Sequence, residues 1–303
     1  GRVVTNMDLC LPPHSAVNPL AFSVPPYSCD CHAHIIGPVT LFPQIEDRSY
    51  SSPEASLESY QTLHRELGIR RAIIVQPSIY GYDNRVTINA ISRYGATSAR
   101  GIAVVTPQIL DSELETLHLG GIRGVRFNLL FKGGASLEDL EYIAQKIAGF
   151  KWHIQLLIDV SQLEAIASRL RKLPVPVIFD HMGHMPTNLG VQHSGFQTLI
   201  NLMKEGCAWA KVSGNYRISS AGPPYRDAIP FAQALIAASP GRVVWGTDWP
   251  HPGLYKKMPN DGDLLGALDD YAPSSKLKQK ILVDNPEKLY GFDTQPLENK
   301  YER

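Results

Sequence analysis

Ser28-Cys-Asp-Cys-His32-Ala-His34-Ile-Ile-Gly-Pro38 is a short, largely apolar run that closes in a turn, and it separates the two folds open to this chain. An open sheet that binds a dinucleotide would place a glycine-rich fingerprint in its first strand-to-helix turn. This turn has one glycine and two histidines instead. Outward from it, strand-like runs recur at Arg71 to Pro77, Gly101 to Thr106, Gly124 to Leu129, His153 to Asp159, Val175 to Asp180, Ala208 to Ser213 and Arg242 to Gly246. Segments with helical spacing separate them: Ser56 to Leu67, Asp83 to Tyr94, Asp111 to Leu119, Leu137 to Ile147, Gln162 to Arg171, Gly195 to Lys204 and Arg226 to Ala238. Apolar strands in strict alternation with helices are what parallel pairing demands, because both faces of each strand are covered. Eight such units predict an α/β fold, a (β/α)8 TIM barrel, regular or distorted. Two more helical stretches, Asp263 to Asp269 and Ser275 to Val283, follow the last strand. Residues 1–27, proline-bearing and without a sustained period, read as an irregular N-terminal arm, and residues 28–303 as one barrel domain.

Composition narrows the partners. The 303 residues are 44% hydrophobic and 19% charged, enough to bury a large core without staples. Lysine plus arginine equals aspartate plus glutamate, 29 against 29, with no basic run, which argues against nucleic acid or an anionic membrane surface as a partner. No apolar run approaches the roughly 20 residues of a membrane helix. Four scattered cysteines do not form a disulfide framework and fit a reducing, cytoplasmic setting. A small molecule is therefore the expected partner of a monomer or small homo-oligomer.

In barrels of this kind, working groups sit at the carboxyl ends of strands. Those ends carry Asp30, His32 and His34; Arg126 and Asn128; Asp180 and His181; Asn215 and Arg217 just beyond strand seven; and Asp248 and His251. Strand alternation places Asp30, His32 and His34 on one face, and Cys29, Cys31 and Ala33 on an outward one. Imidazoles and a carboxylate gathered from three strand ends are a candidate proton-transfer or metal site. Arg126 and Arg217 offer forked, permanently charged grips for a carboxylate or sulfonate.

His32-Ala-His34, Asp180-His181-Met-Gly183 and Trp245-Gly-Thr-Asp248-Trp-Pro-His251-Pro252 resemble the amidohydrolase superfamily. The resemblance is to the branch that holds 2-pyrone-4,6-dicarboxylate lactonase, 4-sulfomuconolactone hydrolase and galactarolactone isomerase. It extends from about Cys29 to Tyr290 through Val75-Gln-Pro-Ser78, Gly121-Ile-Arg-Gly-Val-Arg-Phe-Asn128 and Asn285-Pro286. It implies a hydrolase that opens a small anionic lactone, of the muconolactone, sulfonated muconolactone or pyrone carboxylate type. Asp248 would take a proton from water while His32, His34 and His181 polarise the carbonyl. The alternative is a sugar-acid lactone isomerase, with a substrate hydroxyl as nucleophile. By the same resemblance Ser78, Tyr50 and His251 would contact substrate, and Lys132 stands where the dicarboxylate lactonase has a second arginine. The usual metal ligands on strands four and five are missing, since Arg126 and Ile158 occupy those places. The implied site therefore requires no metal, with one divalent cation such as zinc, held by His32, His34, His181 and Asp248, as the alternative.

Overall fold

The computed structural model describes residues 8–294 and contains eight parallel strands in the order of the sequence: β1 (Cys29–Ala33), β2 (Arg71–Val75), β3 (Ala99–Ala103), β4 (Ile122–Asn128), β5 (His153–Leu157), β6 (Val177–Phe179), β7 (Ala208–Lys211) and β8 (Val243–Val244). β8 returns against β1 through Cys31 N donating to Trp245 O at 2.9 Å and Asp248 N donating to His32 O at 2.8 Å. These bonds bring the ring to near closure. Every expected strand is present, each shorter than or slightly offset from its predicted run.

The helices that pack outside the strands include α1 (Leu57–Leu67), α2 (Arg85–Tyr94), α3 (Asp111–Leu119), α4 (Leu140–Ala148), α5 (Ala167–Arg171) and α6 (Ser194–Lys204); the single turn α7 (Asn215–Ile218) sits in the loop after β7, and α8 (Ile229–Ala238) follows. α1 starts where the Ser56 hydroxyl accepts the Ser59 N–H, satisfying a donor that the first turn leaves unpaired. Its buried Leu57, Tyr60, Leu63 and Leu67 recur at helical spacing and cover β1 and β2.

Strand alternation divides the core in two. Ala72, Ile74, Val125, Phe127, Ile154, Leu156, Val177 and Phe179 join the large cluster under the helices, while Ile73, Val75, Ile102, Ile178, Trp209 and Val244 form an inner cluster. Cys29 and Cys31 belong to the inner cluster, so the expectation that they face outward is corrected. Asp30 is the residue that faces the helices, with its carboxylate accepting from Tyr60 OH at 2.7 Å and lying 3.1 Å from His64 Nε2. The reason is a register shift between Asp30 and Ala33. A bulge resets the period, so His32 and His34 point inward although Asp30 does not.

Of the N-terminal arm, residues 8–27 are described and are irregular apart from a bridge between Leu9 and Ser51; the expectation for residues 1–7, like that for residues 295–303, lies outside the described residues. The arm lies across the loops after β1 and β8: Cys10 N donates to Ser51 O at 2.8 Å and Leu11 N to Leu254 O at 2.7 Å. No helix among the described residues is long and apolar enough to cross a membrane.

Candidate active site

His32 lies near the end of β1 and His34 just after it, His181 follows β6, and Asp248 follows β8. They meet at one end of the barrel. Asp248 Oδ1 lies 3.6 Å from His32 Nε2 and 3.8 Å from His34 Nε2, and its Oδ2 lies 3.8 Å from His181 Nε2. All four are at most 2% exposed. Backbone geometry singles out the same corner, because His181 (φ 51°), Asp248 (φ 61°) and His251 (φ 62°) occupy the left-handed region that residues with a Cβ avoid. Such conformations persist where surrounding contacts over-determine them, and they cluster at functional sites. Two glycines make room for the imidazoles. A Cβ on Gly246 would lie 2.6 Å from His32 N, and one on Gly214 2.7 Å from the His181 ring.

The charges are set by neighbours. Burial alone would raise the Asp248 carboxyl, but the Arg217 guanidinium leads the groups that outweigh it and hold it well below the usual carboxylate range. Arg217 Nε donates to Asp248 Oδ2 at 2.5 Å, and Tyr216 OH donates to the same oxygen. Burial pushes His34 and His181 well below the usual imidazole range and lowers His32, so all three rings are neutral near pH 7. Their tautomers differ in consequence. His34 donates Nδ1–H to Val75 O at 2.8 Å, so its neutral ring presents a lone pair at Nε2 and accepts rather than donates, unlike the donor role expected for it.

Beneath these residues is a floor in which sequence reasoning named Asp180 and Arg126 but missed Lys211 and Gln155. Lys211, fully buried on the inner face of β7, has its ammonium 2.9 Å from Cys31 O, 2.9 Å from Gln155 Oε1 and 3.0 Å from His32 Nδ1. Asp180 accepts from Arg126 Nη2 and Gln155 Nε2, each at 3.1 Å, and its other oxygen lies 3.5 Å from Lys211 Nζ. Lysine at the inward alternate of an apolar strand was the available signal; its partners on other strands were not.

The remaining predicted residues separate into two groups. Arg126, Arg217, Ser78 and Tyr50 line a narrow cleft together with His34, His181 and Asp248. Lys132 is not brought into the cleft; its exposed ammonium pairs with Asp47 at 3.2 Å. Nor does His251 line it. That ring is fully buried behind Tyr216, with Nδ1 2.9 Å from Tyr216 OH and Nε2 2.8 Å from Asp261 Oδ1.

One group among the described residues has the reach to hold a metal: ligand atoms of His32, His181 and Asp248 lie within 4.8 Å of one another. A metal-bound imidazole normally donates its second N–H to an acceptor, and at His32 that nitrogen faces both the Lys211 ammonium at 3.0 Å, itself a donor, and Asp180 Oδ1 at 3.5 Å, an acceptor.

Comparison with known proteins gives concordant results. A family model described as Amidohydrolase matches residues 29–292. The chain is 39% identical over 289 residues to a 4-sulfomuconolactone hydrolase of Hydrogenophaga intermedia, covering 93% of this chain and 94% of that protein. It is 38% identical over 280 residues to a 2-pyrone-4,6-dicarboxylate hydrolase of Comamonas testosteroni, covering 89% and 92%. A crystal structure of a probable 2-pyrone-4,6-dicarboxylic acid hydrolase from Acinetobacter baumannii, with citric acid bound, superposes with a TM-score of 0.78 at 28% identity, covering 88% of this chain and 100% of that one.

Proposed function

The chain belongs to the amidohydrolase family, and from that premise we propose that it hydrolyses a small anionic lactone of the muconolactone or pyrone carboxylate type. The observation that carries the proposal is the Asp248 carboxylate, ionised and buried, facing three neutral imidazole nitrogens at 3.6 to 3.8 Å. Two guanidinium groups, Arg126 and Arg217, reach the cleft, each anchored by a buried carboxylate, Asp180 and Asp248, and forked donors of this kind suit a carboxylate or sulfonate on the substrate.

In the proposed reaction a water between Asp248 and His34 gives one proton to Asp248 while its oxygen attacks the lactone carbonyl carbon. Its other hydrogen is accepted by the His34 Nε2 lone pair. The carbonyl oxygen becomes an oxyanion and accepts from His32 Nε2–H, a preformed donor in a water-poor site. Collapse breaks the ring carbon–oxygen bond, and Asp248 returns its proton to the departing ring oxygen. The product carries a new carboxylic acid, which ionises near pH 7. No step uses a bound cation.

The test is to incubate the protein in weak buffer with a panel of muconolactones, sulfonated muconolactones and pyrone carboxylates, following ultraviolet absorbance and acid release together. Loss of a lactone with one equivalent of acid is expected. Loss without acid would assign ring isomerisation by a substrate hydroxyl, and an unreactive panel would refute the proposal.

A further inference from the structure

We propose that Lys211 is a positioning residue that fixes His32 in the tautomer with its proton on Nε2, and that it thereby turns a metal-shaped triad into a hydrogen-bond-donating one. The inference rests on the reading of His32 as the carbonyl's donor, but its evidence lies beneath the cleft. Two of the three short contacts of the ammonium are unambiguous. Cys31 O can only accept, and Gln155 is oriented by its own amide, whose Nε2 donates to Asp180 Oδ2 at 3.1 Å and so turns Oε1 toward Lys211. An ammonium has three hydrogens, and the third direction is His32 Nδ1 at 3.0 Å.

Burial lowers the Lys211 pKa, and the Asp180 carboxylate opposes that change. Asp180 is itself held well below the usual range: burial would raise it, but Lys211, His32 and Arg126 outweigh burial. Asp180 is therefore ionised, with its Oδ1 3.5 Å from Lys211 Nζ. With Lys211 donating to Nδ1, the neutral His32 ring carries its proton on Nε2. That atom is buried, has no hydrogen-bond partner, and lies 3.6 Å from Asp248 Oδ1, where an incoming substrate oxygen would satisfy it.

A cation at His32, His181 and Asp248 would need the opposite arrangement at His32, with a lone pair on Nε2 and the proton on Nδ1. That proton would then confront an N–H of Lys211. Asp180 Oδ1, 3.5 Å from His32 Nδ1, is the one acceptor that could support the alternative tautomer, and Lys211 is the nearer of the two. His34 has the arrangement usual for a metal ligand, with Nδ1–H on the Val75 carbonyl, so the two histidines of one strand end are set to opposite tasks.

The test does not depend on turnover, so it can fail while the lactonase proposal stands, and the reverse also holds. Nitrogen-15 histidine spectra of the whole protein near pH 7 read the tautomer directly, with the His32 signals assigned by their loss in His32→Gln. Protonated Nε2 and unprotonated Nδ1 are expected, and a ring protonated on Nδ1 would overturn the proposal whatever any variant does. In Lys211→Met, with Asp180 left as the partner of Nδ1, the tautomer is expected to invert. Zinc titrated calorimetrically into the metal-free protein is expected to bind that variant about 10- to 100-fold more tightly than the parent, the usual worth of a ligand-supporting contact. Adding His32→Gln to Lys211→Met should remove the gain. Equal zinc affinity in parent and variant, or an unchanged tautomer, would show that Lys211 has no such role.

Discussion

Arg217→Met is the most informative single perturbation of this site, because it removes the strongest partner of Asp248 while keeping the length of the side chain. Guanidinium and carboxylate meet at 2.5 Å with the side chains 8% and 1% exposed, so neither is screened by solvent. Removing one partner of such a buried pair costs about 3–5 kcal/mol. For a chain of this length that lowers the melting temperature by on the order of 10 °C at pH 8. The pH dependence identifies the cause. In the parent, the depressed Asp248 contributes stability above the unfolded carboxylate pKa, and that contribution is lost as pH falls through the lower folded value. In the variant, burial acts with less opposition and the folded value rises, so Asp248 relieves the strain by taking a proton in acid. The stability deficit of Arg217→Met is therefore expected to grow from acidic to neutral pH. The acidic limb of its kcat profile is expected to move toward neutrality, because the base must be ionised to work. Melting curves and lactone turnover between pH 4 and 9 supply both readouts. A deficit independent of pH, together with an acidic limb that coincides with the parent's, would refute the claim that Arg217 holds Asp248 ionised.

Asp248→Asn should leave a folded protein and lower kcat by about 10²–10⁴-fold, the usual worth of a positioned base; near-normal turnover with the same substrate would remove Asp248 from the reaction. Gly246→Ala drives a Cβ to 2.6 Å from His32 N, a backbone atom that cannot swing aside. Such overpacking costs about 1–3 kcal/mol. Both melting temperature and kcat should fall, with the His32 spectrum altered, and a variant matching the parent in all three would contradict the close approach of β8 to β1.

The barrel was legible because each strand is covered on both faces and so reads as an apolar run between helical segments. The face assignment on β1 was not, since alternation carries Asp30 along with the two histidines and only the register shift after Asp30 separates them. The meeting of His32, His34, His181 and Asp248 followed from strand ends alone. Arg217 was read as a grip for substrate from its residue type, whereas its short bond to Asp248 depends on the turn of α7, which no periodicity encodes. Lys132 and His251 sit in loops, where a matching position fixes neither exposure nor direction. Lys211 was visible as a lysine on a strand, but its partners Gln155 and Asp180 come from strands more than 30 residues away.

The residues that precede β1 act as a clasp on the rim. Besides its backbone bonds to Ser51 and Leu254, the arm holds Asn260 through Asn18 N at 2.9 Å. These anchor points flank Tyr50 and Asp261, so the segment sets the posture of two loops that frame the cleft without contributing to its lining. Grafting those loops into a related barrel to change which lactone is accepted would misplace them unless the clasp travels too, and a fusion partner joined close to position 8 would strain the same rim.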